Sequence, residues 1–329
     1  MEKMGLVFLG RTKVKTKEMV PVCMAVAIVA VMTAAAELLG EKEIIFPEIA
    51  AVAAGGLVAP KLVWNTNKRR ILLFIMICAV LGVGIVRYVP LPLWAQMAAA
   101  FLVSQIIFIY SGTTFAPMIS AIVLPVMLQT ETAVYLASAF LLTALILLFR
   151  LLLEKQGVLE EIEYKKEKLP QIKEYKNVAL RVLVASVVIF AAVSLDAKFV
   201  VAPPLLVAFT EFSKPSCGAR KRPVKAVALT GGSALIGAVF RYVFCIQFGI
   251  VPLYLAAAAT MLAVLLVMKK LGMFLPPAGA VSILAMLIPE GAVLWFPVQI
   301  TIGAVVAMGA ALLIFREDTR AKKPEKNYN

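Results

Sequence analysis

Few residues in this chain of 329 could carry chemistry, and those few stand in apolar surroundings. Glu48 follows Pro47 near the start of a short uncharged run, and Glu211 closes another. An ionisable side chain at membrane depth is a candidate solute partner or proton carrier, whereas one at the interface costs little and needs no function. Arg87 and Arg241 interrupt apolar stretches, each followed by a tyrosine. A guanidinium there could hold an oxyanion through paired donors. The bland alternative is a long side chain snorkelling to an interface ringed by Tyr88 and Tyr242. Thr113, Thr114, Ser120 and Ser282 offer hydroxyls close to Pro117, Pro276, Pro277 and Gly279. Hydroxyls of this kind line a solute path or simply bond neighbouring helices.

What is missing narrows the chemistry further. The chain has no histidine, so the usual general base, pH switch and commonest metal ligand are absent. Cys23, Cys78, Cys217 and Cys245 form no CxxC pair, which speaks against a metal knuckle or a disulfide framework, and no cofactor is expected. An intramembrane enzyme would have to work with Glu48, Asp196 and Glu211, and no paired acidic motif or Ser/His/Asp set supports one.

Composition identifies the elements that must position these residues. Hydrophobic residues make up 62% of the chain and charged ones 16%, against about 25% charged in an ordinary soluble domain. The charges cluster between apolar runs long enough to cross a bilayer as helices. Between Arg87 and Glu131 lie 43 uncharged residues, room for two crossings, with Ser111-Gly112-Thr113-Thr114 as the turn between them. The same reading throughout predicts an all-α membrane protein of twelve segments, at 19–39, 44–60, 71–88, 92–110, 114–129, 132–152, 178–196, 199–213, 226–247, 250–268, 273–289 and 292–315. Ala34-Ala35-Ala36 has the small residues of a signal-peptidase site, but the preceding apolar run is longer than a signal core, so a retained anchor is expected. With the N-terminus inside, Lys42, Arg87, Lys198 and Arg241 are the only ones of 33 basic residues on the outer side. That bias sets both termini in the cytoplasm of a prokaryotic-type plasma membrane and accounts for the net charge of +14 without nucleic acid.

The chain divides into a first membrane repeat at 1–152, a charged cytoplasmic linker at 153–177, solvated and helical at most in part, a second repeat at 178–315 and a basic tail at 316–329. Arg87-Tyr88 recurs as Arg241-Tyr242, 154 residues on, and Pro117 recurs as Pro277, 160 residues on. Six segments per half imply halves related in parallel, with room for a nested three-plus-three inverted repeat in each. Segments two, five, eight and eleven are short or proline-broken, and such segments in corresponding places are the best sequence pointer to a transporter's binding site. Free helix N-termini there would favour an anion.

Phe274-Leu275-Pro276-Pro277-Ala278-Gly279-Ala280, with Val201-Ala202-Pro203, Ser213-Lys214-Pro215-Ser216 and Gly231-Gly232-Ser233 upstream, resembles the HPP family of integral membrane proteins over about residues 180–315. The first half matches more loosely, through Phe115-Ala116-Pro117. Leu275 stands where the family has its defining histidine, so no role of that histidine carries over. The resemblance implies a compact helical membrane fold and, because some plant and cyanobacterial members are associated with nitrite transport, movement of a small anion. The expected function is a permease for a small solute, an anion by preference, with the lipid bilayer and that solute as partners and a homo-oligomer compatible with the sequence. A non-transporting assembly or sensing subunit is the remaining alternative.

Overall fold

The computed structural model describes residues 2–315, with side chains placed from Met19 onward; the basic tail at 316–329 lies outside the described residues. Twelve α-helices follow one another without a strand among the described residues: α1 (Glu2–Leu39), α2 (Glu48–Ala53), α3 (Lys68–Tyr88), α4 (Leu93–Tyr110), α5 (Pro117–Leu128), α6 (Ala133–Lys155), α7 (Ile172–Ser194), α8 (Pro203–Phe212), α9 (Pro223–Val239), α10 (Leu253–Leu271), α11 (Pro276–Leu284) and α12 (Phe296–Ile314). Eight of them, α1, α3, α4, α6, α7, α9, α10 and α12, are long and apolar enough to cross a membrane. Helix α9 reaches that length through a π-helical continuation over Phe240–Gln247. Their outward faces carry large apolar side chains, such as Leu73, Val80 and Leu81 on α3, as a lipid-facing surface requires.

The expectation of twelve membrane segments therefore meets eight helices of sufficient length. Helices α2, α5, α8 and α11 are too short: α2 has 6 residues and a π turn of 5 more, and the others have 12, 10 and 9. At 1.5 Å per residue each covers roughly half of a hydrocarbon core about 30 Å thick. Every residue of α2 and α11 is buried, as is all of α5 before Leu128. The segments expected at 44–60, 114–129, 199–213 and 273–289 were longer because apolar character reports burial, not helix. Ile45-Phe46, Phe115, Phe199 and Leu275 are buried on the approach to a short helix without belonging to it.

Prolines set where these helices begin. Pro47 caps α2, and α5, α8 and α11 all open on proline. A ring nitrogen at the first helical position forfeits no hydrogen bond, and Leu275, held extended before Pro276, marks the break with the preceding chain. The four short helices pack in a closed ring, α2 on α5, α5 on α8, α8 on α11 and α11 on α2. Around it α1 lies against α10, α4 against α7, α3 against α5 and α6, and α9 against α11 and α12.

The linker expected at 153–177 is shorter, because α6 continues to Lys155 and α7 starts at Ile172. Glu154 pairs with Arg150 one turn earlier at 2.8 Å and with Lys68, which holds the last turn of α6 in place. Residues 156–171 contain no helix. They form a strap tied down by Asn65, whose Nδ2 donates to the Lys165 carbonyl at 2.7 Å and to Glu167 at 2.6 Å, and by Gly112, whose carbonyl accepts from Tyr164 at 2.8 Å. A strap anchored through its own backbone and side chains gains nothing from forming a helix.

Candidate functional site

Trp64, a non-helical residue between α2 and α3, links the π turn after α2, the approach to α5 and the last turn of α8. It is 3% exposed. Its ring lies so close to Gly55, in the π turn after α2, that a Cβ there would stand 2.6 Å from it and 2.9 Å from the Pro276 ring of α11. It meets Phe115, the residue leading into α5, edge-on at 5.2 Å between centroids. Its Nε1 donates to Glu211 Oε1 of α8 at 3.0 Å. The sequence reading missed Trp64 because a lone aromatic in a connection carries no periodicity; its position beside Asn65 and Asn67, the latter capping α3 through Arg70 N at 2.9 Å, was the one local hint.

Within the ring, Glu48 opens α2 and is 1% exposed. Its Oε1 accepts a hydrogen bond from the Ser120 hydroxyl of α5, and its Oε2 has no partner among the described residues. Tyr135 of α6 donates to the Ala121 carbonyl at 2.9 Å and stacks edge-on against Phe46 at 5.6 Å, closing the far side. A buried carboxyl with one oxygen bonded and one free can hold a proton or accept a cation. Gly279 of α11 touches the same first turn of α2, where an added Cβ would sit 3.1 Å from the Ala50 carbonyl oxygen. Ser282 donates back to the Gly279 carbonyl at 2.8 Å. The proline motifs of α5 and α11 are thus both buried against α2.

The ends of short helices in an apolar core leave carbonyls that lipid cannot satisfy. Arginines satisfy them at three of the four ends. Arg150 donates to the Gly56 carbonyl at the end of α2. Arg220 donates to the Phe212 carbonyl of α8 at 2.7 Å. Arg241 donates to the Ala285 and Ile288 carbonyls just after α11, each at 2.5 Å. Helix α5 ends instead on Gln129, in the left-handed region at φ 57°, whose amide donates to Gln96 at 2.8 Å. Arg241 is therefore occupied by backbone, whereas Arg87 is exposed at the end of α3. The two arginines that look equivalent in sequence have different surroundings.

Two clefts open at opposite ends of the ring. One, of about 590 Å³, is lined by Glu37, Lys42, Arg241 and Glu290, two cations against two carboxylates. The other, of about 750 Å³, lies under the strap and is lined by Thr113, Thr114, Arg181, Ser213 and Lys214 together with strap residues. Thr114 Oγ1 also accepts from Asn65 N at 2.8 Å, and Thr113 Oγ1 from Phe115 N at 3.1 Å, so both hydroxyls stiffen the approach to α5. The structure brings Glu48, Ser120, Pro117, Pro276, Pro277, Gly279 and Ser282 into one buried core, puts Thr113 and Thr114 in the cleft below it, Arg241 in the cleft above, and Arg87 apart. Asp196, exposed with φ 52°, is also apart from Glu48 and Glu211. Among the described residues no cluster of three or more acidic or cysteine side chains is suited to a metal. Compared with models of protein families, with curated proteins and with solved structures, the chain matches none.

Proposed function

We propose that this protein is a membrane transporter for a small solute, an anion by preference, working by movement of two six-helix halves around the ring of short helices. The observation that carries the reading is the ring itself. Four helices of half-membrane length, opened by proline and closed mostly by arginine, lie between two polar-lined clefts and bury an underbonded carboxyl, Glu48. Irregular backbone at membrane depth is tolerated where protein or water satisfies it, which is the situation of a transport path.

Glycine contacts support duplication. A methyl on Gly82 of α3 would strike the Ile122 carbonyl oxygen and the Pro125 ring of α5, and one on Gly237 of α9 would strike the Ser282 carbonyl oxygen and the Ala285 methyl after α11. The struck residues correspond at an offset of 160 (122 to 282, 125 to 285), the offset that also relates Pro117 to Pro277. The packing has the same form: α3 on α5 and α6 in the first half, α9 on α11 and α12 in the second. On this reading each half carries two long–short–long units, twelve segments in all, and the HPP-like motif belongs to the fourth.

The test is flux in liposomes containing purified protein, with nitrite, the anion implied by the HPP resemblance, first in a panel with nitrate, bicarbonate and chloride. Protein-dependent flux of at least one anion, lost in Gly279→Leu, is the expected result. Absence of flux across the panel and across small neutral solutes, from protein that remains monodisperse, would leave the assembly or sensing role as the better reading.

A further inference from the structure

The cleft beneath the strap holds two cations that have no carboxylate within ion-pair distance among the described residues. Arg181 of α7 is 5% exposed; its NH1 donates to the Ser213 hydroxyl at 3.0 Å and its Nε has no acceptor. Lys214, the next residue after Ser213, holds its ammonium 4.4 Å over the Phe108 ring and faces the same cleft. Among the described residues the ion pairs within 4.0 Å are those of Glu154 with Lys68 and Arg150, so neither Arg181 nor Lys214 has a carboxylate in contact. Glu211, the nearest acid in sequence, is bonded to Trp64. A buried guanidinium with a free N–H beside a second cation is costly unless an anion completes it. Five cations and two carboxylates line this cleft, whereas the opposite cleft is balanced. Ser213 keeps its hydroxyl fixed by donating to the Thr210 carbonyl at 2.8 Å, which leaves its oxygen to orient Arg181.

We propose that Arg181 and Lys214, positioned by Ser213, form an oxyanion-binding site in the cleft beneath the strap. Arg181 supplies planar paired donors and Lys214 a point charge, a combination suited to nitrite, phosphate or a phosphate headgroup more than to a spherical halide. The site gives the anion preference of the transport reading a location, yet binding can be measured without flux, so either can fail alone.

The experiment is calorimetric titration of the purified full chain in neutral detergent with sodium nitrite and with inorganic phosphate. Saturable binding is expected for at least one. It should weaken roughly tenfold or more in Lys214→Gln and in Arg181→Lys, the loss of one charge-assisted hydrogen bond, and stay unchanged in Lys225→Gln, an exposed lysine elsewhere. Lys214 is less deeply buried than Arg181, so its variant remains informative if Arg181→Lys unfolds. Repeating the titration in nanodiscs with and without phosphatidylglycerol separates the sources: loss of binding only with the anionic lipid identifies a headgroup site, and retention identifies a free-anion site. No saturable binding of nitrite, phosphate or anionic lipid, or equal affinities for wild type and Lys214→Gln, would overturn the proposal.

Discussion

Single side chains divide here between those that hold the core together and those free to act. Glu48 belongs to the second group through its unpartnered Oε2. Glu48→Gln keeps shape and the Ser120 contact but removes the charge, and it should abolish any pH dependence of flux while leaving the protein folded; unchanged flux and pH profile in liposomes would make Glu48 structural. Arg241 belongs to the first group. Arg241→Gln should lower stability by about 1–3 kcal/mol, the cost of leaving buried carbonyls unpaired, with Arg87→Gln close to neutral; melting of both variants in detergent makes the comparison. Lys214 has a pH signature of its own. Burial, then the Arg181 guanidinium, pushes its ammonium down to about 8, against the opposing pull of Glu211, Glu167 and Glu174. An anion is attracted by the protonated form, so oxyanion affinity should be level on the acid side of that value and fall as pH rises through it. In Lys214→Arg the fall should disappear, as repeated titrations across the pH range would read.

At the scale of elements, the contact between α2 and α11 is the one most easily tested. Gly279 faces the Ala50 carbonyl at a distance that a methyl group just exceeds. Gly279→Ala should therefore cost about 1 kcal/mol or more by overpacking, whereas Gly279→Leu should force the two helices apart and stop transport even where protein still inserts. Flux and melting measured on both variants separate blocked transport from lost folding; wild-type flux in Gly279→Leu would remove this crossing from the transport path. The proline motifs were legible in sequence because proline constrains a helix start locally. The contacts of Trp64 beside them were not, because they join residues far apart in the chain: Trp64 and Glu211 are separated by 147 positions.

For the whole molecule, sidedness follows from charge. The strap, the cleft beneath it and the C-terminal tail should be cytoplasmic, since the basic residues concentrate there. In a variant with its native cysteines replaced, Lys165→Cys should react with an impermeant thiol reagent only after the membrane is opened, and Lys42→Cys should react from outside. The reverse pattern would invert the topology and with it the side on which the oxyanion site is filled.

Composition and charge clustering were enough to establish an all-α membrane protein and the approximate course of its eight long helices, because a bilayer forces apolar length and basic flanks into the local sequence. Proline positions also located the four irregular segments. Only the tertiary structure decided that these segments are short helices in a buried ring, that Arg241 caps a helix while Arg87 does not, and that Arg181 and Lys214 share a cleft in which cations outnumber carboxylates and neither has an ion pair within 4.0 Å. Apolar sequence looks the same whether it faces lipid or protein, and a cation's role depends on which distant oxygen it reaches; both are properties of the packed chain and not of any one stretch of it.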